Sequence, residues 1–368
     1  MGQEQPRVLL VIPSLGGGGA ENVFATLMRH FDRARYRYGL AVVNSRESVY
    51  HGDIPPDVDF FDLKCSRLLY ALPKMMRLIW KYRPQVVLST VSHLNLGLAL
   101  IKPLLPRSTR CIARESAILS EALKKNGNSL WRWGYRRFYR RFHRIICQSQ
   151  TMLDDLVINL HVPADKVTRI YNPIDLDHVR ALSCQPLSPA FQEWRRGFGR
   201  ETILLAAAGR LIWVKGFDIL IEAVALVADP RFKVVLLGKG PLRHALEEQA
   251  HARGVAGRIF FAGYQKNPYP YFAAARALVI SSRHEGFPNV ALEALACGTQ
   301  VIASPNLGSV REIAALVQGC SLAESPDAAG LAGAMVRLAQ PGETSEPDLE
   351  QFSVANVVKQ YSSTFTDA

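Results

Sequence analysis

The chain has 368 residues, 48% of them hydrophobic and 21% charged, a length that suggests two domains and a composition that excludes a largely disordered polymer. Its net charge of +12 is one-sided: residues 1–180 hold 27 Lys+Arg against 15 Asp+Glu, while residues 181–368 hold 17 of each, so the N-terminal half is expected to meet an anionic partner. Six scattered cysteines with no CxxC pair argue against a zinc site or a disulfide framework and fit a reducing compartment. No signal peptide is recognised, and the apolar run 94–105 is too short to span a bilayer and is broken by Lys102 and Pro103. The expected location is cytoplasmic, peripheral on the cytoplasmic face of the inner membrane.

Short β-rich runs alternate with amphipathic segments. Residues 7–12 read as a buried strand, 16–19 as a glycine loop and 20–31 as a helix; strands follow at 38–43, 58–63, 85–90, 109–114, 144–148 and 167–171. Such alternation means βαβ units, a parallel sheet with helices on both faces. Segment 183–199 carries two prolines, two glycines and little apolar periodicity, which sets a linker at about 181–199 between a domain at 1–180 and a domain at 200–350. In the second domain the strands are expected at 202–207, 233–237, 258–261, 278–281 and 300–303, with helices at 217–228, 241–253 and 289–296. Residues 340–348 read as a polar loop and 354–365 as a last helix, expected to pack on the first domain. The fold class is α/β, two doubly wound halves in tandem. Ligands of such sheets bind beyond the C-terminal ends of the strands.

The strongest motif is His284-Glu285-Gly286-Phe287-Pro288-Asn289-Val290-Ala291-Leu292-Glu293. It follows a strand and opens a helix, so helix amides lie between two carboxylates. Those amides suit a phosphate, and carboxylates beside a phosphate suit sugar hydroxyls; one exposed and one capping glutamate is the plainer reading. In Gly209-Arg210-Leu211-Ile212-Trp213-Val214-Lys215-Gly216 two cations can converge on one diphosphate or stand solvated at a strand end. Gly16, Gly17, Gly18 and Gly19, followed by Ala20-Glu21, form a loop after the first strand that can turn backbone N–H groups to an anion; the loop is neither GxGxxG nor a P-loop, which disfavours an NAD-dependent dehydrogenase.

These residues together resemble the retaining glycosyltransferases of family 4, glycosyl transferases group 1, whose GT-B fold sets two Rossmann-like doubly wound domains facing across a cleft. Glu285 and Glu293 match the two acidic positions of the family's E-x7-E element. The resemblance implies that Glu285 contacts the donor sugar and Glu293 the ribose, and that Gly286, Phe287, Pro288, Asn289 and Val290 meet the donor sugar and diphosphate. Arg210 and Lys215 match the family's Arg and Lys, implied to neutralise charge on the leaving diphosphate. The loop Gly16–Gly19 with Ala20 and Glu21 is similar to the family's G-G-A-E, with which the acceptor domain closes over the donor, and Gly263 and Tyr264 would border the nucleotide base. Tyr171-Asn172-Pro173-Ile174-Asp175 resembles the N-G-V-D element, with Pro173 in place of glycine. Many members carry a His where this chain has Arg114-Glu115; several that transfer N-acetylhexosamines have an Arg/Glu pair there. Glu115 is then a candidate to touch a sugar hydroxyl or take the acceptor proton, and His93 is the other candidate. The resemblance covers nearly the whole chain in the expected order.

Two basic stretches remain. Trp131, Tyr135, Phe138, Phe142 and Ile145 share one face at helical spacing, with Arg132, Arg136, Arg137, Arg140, Arg141 and Arg144 around it; 67–83 sets Lys74, Arg77 and Lys81 beside Leu72, Met75 and Trp80. The first apolar face is expected to pack on the sheet, and Arg132, Arg136, Arg137, Arg140, Arg141, Lys74 and Arg77 to meet an acceptor's lipid-linked diphosphate or anionic lipid. No RNA-binding module is seen, so no nucleic acid is expected. The D-x-D strings at Asp57-Val58-Asp59 and Asp175-Leu176-Asp177 read as solvated acids, and no metal or cofactor is expected. The expected activity is hexosyl transfer with retention and without a metal, from a nucleotide diphosphate sugar (UDP favoured, GDP possible) to a lipid-linked or membrane-proximal glycan, as in lipopolysaccharide or capsule assembly. A nucleotide-sugar-binding protein or a sugar-nucleotide epimerase of the same fold is the alternative.

Overall fold

A computed structural model describes residues 5–46, 48–125, 129–338 and 347–366. The chain divides into two units, Met1–Pro173 with Phe352–Ala368, and Ile174–Gln351. In the first, the run RVLLVI is too continuously apolar for a strand with one wet face, and it forms the central strand β1 (Arg7–Ile12). Around it run β2 (Arg37–Val42), β3 (Asp59–Asp62), β4 (Val86–Thr90), β5 (Arg110–Arg114), β6 (Arg144–Cys147) and β7 (Val167–Arg169). Among the described residues these make a seven-stranded sheet in the order β3-β2-β1-β4-β5-β6-β7, all pairs parallel.

The helices of this unit are α1 (Gly19–His30), α2 (Leu68–Tyr82), α3 (Ser92–Ile101), α4 (Leu119–Lys125), α5 (Ser129–Phe138) and α6 (Gln150–Asp154). The two-residue period of a strand sends alternate side chains to opposite faces. Val8, Leu10 and Ile12 therefore join Phe24 and Leu27 of α1 in one core. Leu9 and Val11 join Met75 and Ile79 of α2, Leu94 and Leu98 of α3 and Tyr135 of α5 in the other.

In the second unit, β8 (Ile203–Ala208), β9 (Phe232–Leu237), β10 (Ile259–Gly263), β11 (Ala277–Ile280), β12 (Gln300–Ala303) and β13 (Cys320–Leu322) form a parallel sheet in the order β10-β9-β8-β11-β12-β13. Its helices are α7 (Leu176–Ser183), α8 (Pro189–Arg195), α9 (Phe217–Leu226), α10 (Arg243–Ala252), α11 (Tyr269–Ala273), α12 (Asn289–Ala296), α13 (Gly308–Leu316) and α14 (Ala328–Leu338). Leu205, Ala207, Val234 and Leu236 share a core with Leu220 and Val224 of α9 and Leu331 and Met335 of α14. The last helix, α15 (Val354–Thr366), belongs to the first unit, where Val357, Tyr361 and Phe365 pack with Val8, Phe31 and Tyr38.

Two expectations are corrected. The segment 181–199 is not a linker: the chain changes unit at Pro173, and Phe191 of α8 packs its ring, tilted, against Phe260 and Tyr271 of the second unit. The helical face expected through Ile145 ends at Phe138; a tight turn at Tyr139–Arg141 follows, and Ile145 lies on β6. The β-branched pair Ile145-Ile146 pairs beside β5, and strand pairing wins over the helical period. Unexpected elements include β13, three residues long, the helices α13 and α14, and α3, whose apolar run has no helical stripe because it is buried nearly all round. Of the expected loop 340–348, residues 340–346 lie outside the described residues.

Candidate functional site

Strand order in the second sheet reverses between β8 and β11. The connections after these two strands leave in opposite directions, which opens a crevice at their C-terminal ends. The β8–α9 loop carries Arg210 and Lys215, and the β11–α12 loop carries Glu285. The two loops are laced together. Ser281 Oγ donates to the Lys215 carbonyl at 3.0 Å and the Arg283 N–H to the Val214 carbonyl at 2.8 Å. Gly216 has φ +63 and lies so near Ser281 that a Cβ there would collide with the Ser281 carbonyl, so this close approach requires glycine.

The lacing brings Lys215 Nζ into an ion pair with Glu285 Oε1, and Ser282 Oγ donates to the same oxygen at 2.8 Å. The pair is largely shielded from water, with 23% of the Lys215 and 12% of the Glu285 side chain exposed. An ammonium has three donors and a carboxylate several acceptor sites, so each group keeps hydrogen-bonding capacity for a ligand. Arg210 is exposed, and among the described residues its guanidinium has no hydrogen-bond partner. Past Glu285 the chain turns into α12 at Asn289, with Pro288 at the N-cap. Proline has no side-chain acceptor to cap the helix, and the positive end of the helix dipole lies there. Phe287 is buried, Gly286 and Val290 are partly exposed, and Glu293 sits buried in the second turn.

Gly263 ends β10 at φ +71, after a shift of register against β9. Next to it the Tyr264 ring is 39% exposed, with the Lys239 ammonium 5.4 Å from its centroid. Sequence reasoning passed over Ser282, Arg283 and Asp218. Arg283 donates to Asp218 through both terminal nitrogens, at 2.8 and 2.5 Å, and to the Trp213 carbonyl at 2.7 Å; its guanidinium lies 4.5 Å from the Trp213 ring centroid. Hydrogen bonding from Arg283 holds the Asp218 carboxyl below its ordinary range. The available signal was an Arg two residues before Glu285 and an Asp three residues after Lys215.

In the first unit the same reversal falls between β1 and β4. Gly16, Gly17, Gly18 and Gly19 join β1 to α1, and the Glu21 carboxylate packs back against Gly18. After β4, Val91 adopts φ +73, a strained conformation for a β-branched residue. His93 follows in the first turn of α3, exposed, with partial burial of the ring lowering its pKa. Glu115 is 1% exposed; Ser92 Oγ donates to it at 2.6 Å, Asn95 Nδ2 at 2.8 Å and the Tyr139 hydroxyl to the same oxygen as Asn95. A carboxyl so enclosed ties the β4–α3 turn to β5 and Tyr139. Its neighbour Arg114, also buried, donates to Thr90 Oγ1 and Asn172.

The basic residues divide into two groups. Arg136, Arg140 and Arg141 donate to the carbonyls of Asn159, His161 and Ala99, and Lys74 to that of Leu63. Arg132, Arg137 and Arg77 are exposed. Tyr70 and Trp80 of α2 and Trp131 and Trp133 of α5 are exposed as well. Asp57 and Asp59 pair with Arg33 and Arg37, and Asp175 caps α7. No helix among the described residues is long and apolar enough to cross a membrane.

Comparison with known proteins places these two units. The family described as Glycosyltransferase Family 4 matches residues 17–178, and Glycosyl transferases group 1 matches residues 202–341. The chain is 28% identical over 322 residues to the N-acetylgalactosamine-N,N'-diacetylbacillosaminyl-diphospho-undecaprenol 4-alpha-N-acetylgalactosaminyltransferase of Campylobacter jejuni, covering 83% of this chain and 82% of that one. It is 42% identical over 105 residues to the lipopolysaccharide core biosynthesis glycosyltransferase LpsE of Rhizobium meliloti, 28% of this chain and 30% of that one. The crystal structure of Anabaena HepE with UDP and glucose matches 99% of this chain and 100% of its own at a TM-score of 0.80 and 18% identity. The two parallel-sheet units are those of the GT-B fold.

Burial raises the Glu115 pKa above its ordinary 4.5, against the lowering effect of Ser92, Tyr139 and Asn95. The folded state therefore holds this proton more tightly than the unfolded chain does. The stability it contributes is complete below pH 4.5 and is lost as pH rises through the folded value. Glu115→Gln cannot titrate. From pH 4.5 upward, urea unfolding of the wild type is expected to lose stability relative to Glu115→Gln, by about 1.4 kcal/mol per unit of pKa difference; a flat or rising difference contradicts the reading.

Proposed function

The chain belongs to the glycosyltransferases of family 4, the glycosyl transferases group 1, and on that footing we propose that it transfers a hexose or N-acetylhexosamine, with retention, from a nucleotide diphosphate sugar to a lipid-linked glycan. The observation that carries this is the meeting of Lys215 and Glu285 at the crevice between β8 and β11, beside the α12 N-terminus. The remaining Lys215 donors, Arg210 and the α12 amides would bind the diphosphate and neutralise the charge that grows on it as it leaves. Two side-chain cations and a helix terminus supply this stabilisation without a metal or cofactor in the mechanism. Glu285 would accept from a donor-sugar hydroxyl and Glu293 from the ribose, with the base against Gly263 and Tyr264.

Transfer is a front-face substitution. The bond from the anomeric carbon to the diphosphate oxygen breaks, the acceptor hydroxyl oxygen bonds to that carbon from the same side, and its proton passes to the departing phosphate oxygen. Gly16 to Gly19 would offer backbone N–H groups to an anion, and His93 would serve the acceptor side. UDP is favoured over GDP because Anabaena HepE binds UDP. The acceptor class rests on the undecaprenol-linked substrate named for the Campylobacter jejuni relative and on the charge of the first 180 residues. Exposed Trp131, Trp133, Arg132, Arg137 and Arg77 suit an anionic bilayer, each charge contributing about 1 kcal/mol near the surface. This would place the enzyme on the cytoplasmic face of the membrane.

UDP at about 100 times its Kd is expected to stabilise the protein by about 2.7 kcal/mol, read as a rise in Tm, with GDP and ADP giving less and Lys215→Ala abolishing the shift. No shift from any nucleotide, or a full shift in Lys215→Ala, contradicts the donor site. Sedimentation with anionic vesicles is expected to fall steeply as salt rises and to weaken in Trp131→Ala/Trp133→Ala. Failure to bind such vesicles at low salt removes the membrane reading and leaves the donor site standing.

A further inference from the structure

We infer that Arg283 and Asp218 are positioning residues for transfer, a clamp that holds Lys215 and Glu285 in register. The inference rests on the donor site proposed above, and it adds two residues that no motif comparison assigned. Lys215 and Glu285 are 70 residues apart and stand on separate loops, so something must fix the distance between those loops. Main-chain lacing supplies part of this, through the Ser281 hydroxyl and the Arg283 N–H. The Arg283 side chain supplies the rest. It leaves the β11–α12 loop, passes beside the Trp213 ring, and donates to the Trp213 carbonyl in the turn that carries Lys215. Its other bonds go to Asp218, in the first turn of α9 immediately after that turn. One guanidinium thus grips the Lys215 turn at both ends from the loop that carries Glu285.

A planar guanidinium can do this and an ammonium cannot. The geometry needs two parallel bonds to a carboxylate, a third to a carbonyl and a flat face for an indole. The ion pair itself is partly exposed, with 22% of the Arg283 and 40% of the Asp218 side chain open to water, so its part in global stability is modest. Its consequence is local: it fixes where the Lys215 ammonium stands relative to the Glu285 carboxylate. A misplacement of about 1 Å can cost on the order of 100-fold in rate.

The test is a double-mutant cycle of Arg283→Ala and Lys215→Ala on the full chain, with Arg283→Lys alongside. Transfer from a UDP-sugar is expected to fall about 100-fold in kcat/KM for the donor in Arg283→Ala, with the acceptor KM unchanged. Arg283→Lys should recover less than a tenth of that loss. If Arg283 acts through Lys215, adding Arg283→Ala to Lys215→Ala should cost less than about 3-fold more. Multiplicative losses, or no loss in Arg283→Ala, overturn the inference. Urea midpoints of the same four proteins without nucleotide give an arm independent of activity: the two substitutions should be non-additive there too. A wild type that binds no nucleotide while the midpoints stay non-additive overturns the functional reading and keeps the clamp. Donor binding with additive losses does the reverse, and an Arg283→Ala protein that fails to fold leaves Arg283→Lys to carry the same comparison.

Discussion

The reversal of strand order between β8 and β11 is the constraint on which the proposed donor site depends. Parallel strands wound outward from a central pair leave their connections pointing apart. The gap is closed by two loops reaching back toward each other. One loop ends in a cation and the other in a carboxylate, and they meet as the Lys215–Glu285 ion pair. The helix that follows Glu285 presents its positive end to the same place. In the proposed donor site, phosphate binding, sugar binding and charge neutralisation would thus come from one topological feature.

The first unit repeats the reversal between β1 and β4 with different chemistry. There the turn after β4 is strained at Val91 and pinned from beneath by a buried carboxyl and its three donors. Burying Glu115 costs solvation, which its hydrogen bonds offset only in part, as the upward movement of its pKa shows. His93 follows this turn, in the first turn of α3. Arg136, Arg140 and Arg141 bond to carbonyls around α5, while Arg132, Arg137 and Arg77 stay exposed.

Much of this was legible in the sequence because parallel strands buried on both faces read as short apolar runs, as in 7–12 or 203–208. The Lys215 and Glu285 loops were legible from the residues that flank them, since glycine and a helix start mark a close backbone approach. The remainder depended on which face a side chain takes. Beside Arg114, Glu115 reads as a candidate to take the acceptor proton, and only packing shows it enclosed by Tyr139, 24 residues further on. Arg283 and Asp218 look like surface charges because their partnership spans 65 residues. The boundary at 181–199 failed because Pro189 and Ser188, which suggest a linker, here start and cap a helix. The stripe through Ile145 failed because helix, turn and strand can bury Tyr135, Tyr139 and Ile145 in one core.

The most direct measurement is a crystal structure with an intact UDP-sugar. Diphosphate oxygens are expected within hydrogen-bond reach of Lys215 Nζ and of the first amides of α12, with a sugar hydroxyl on Glu285 and the Arg283–Asp218 pair unbroken. A nucleotide seated away from the β8–β11 crevice, or one that leaves both Lys215 and Glu285 without contact, would contradict this expectation.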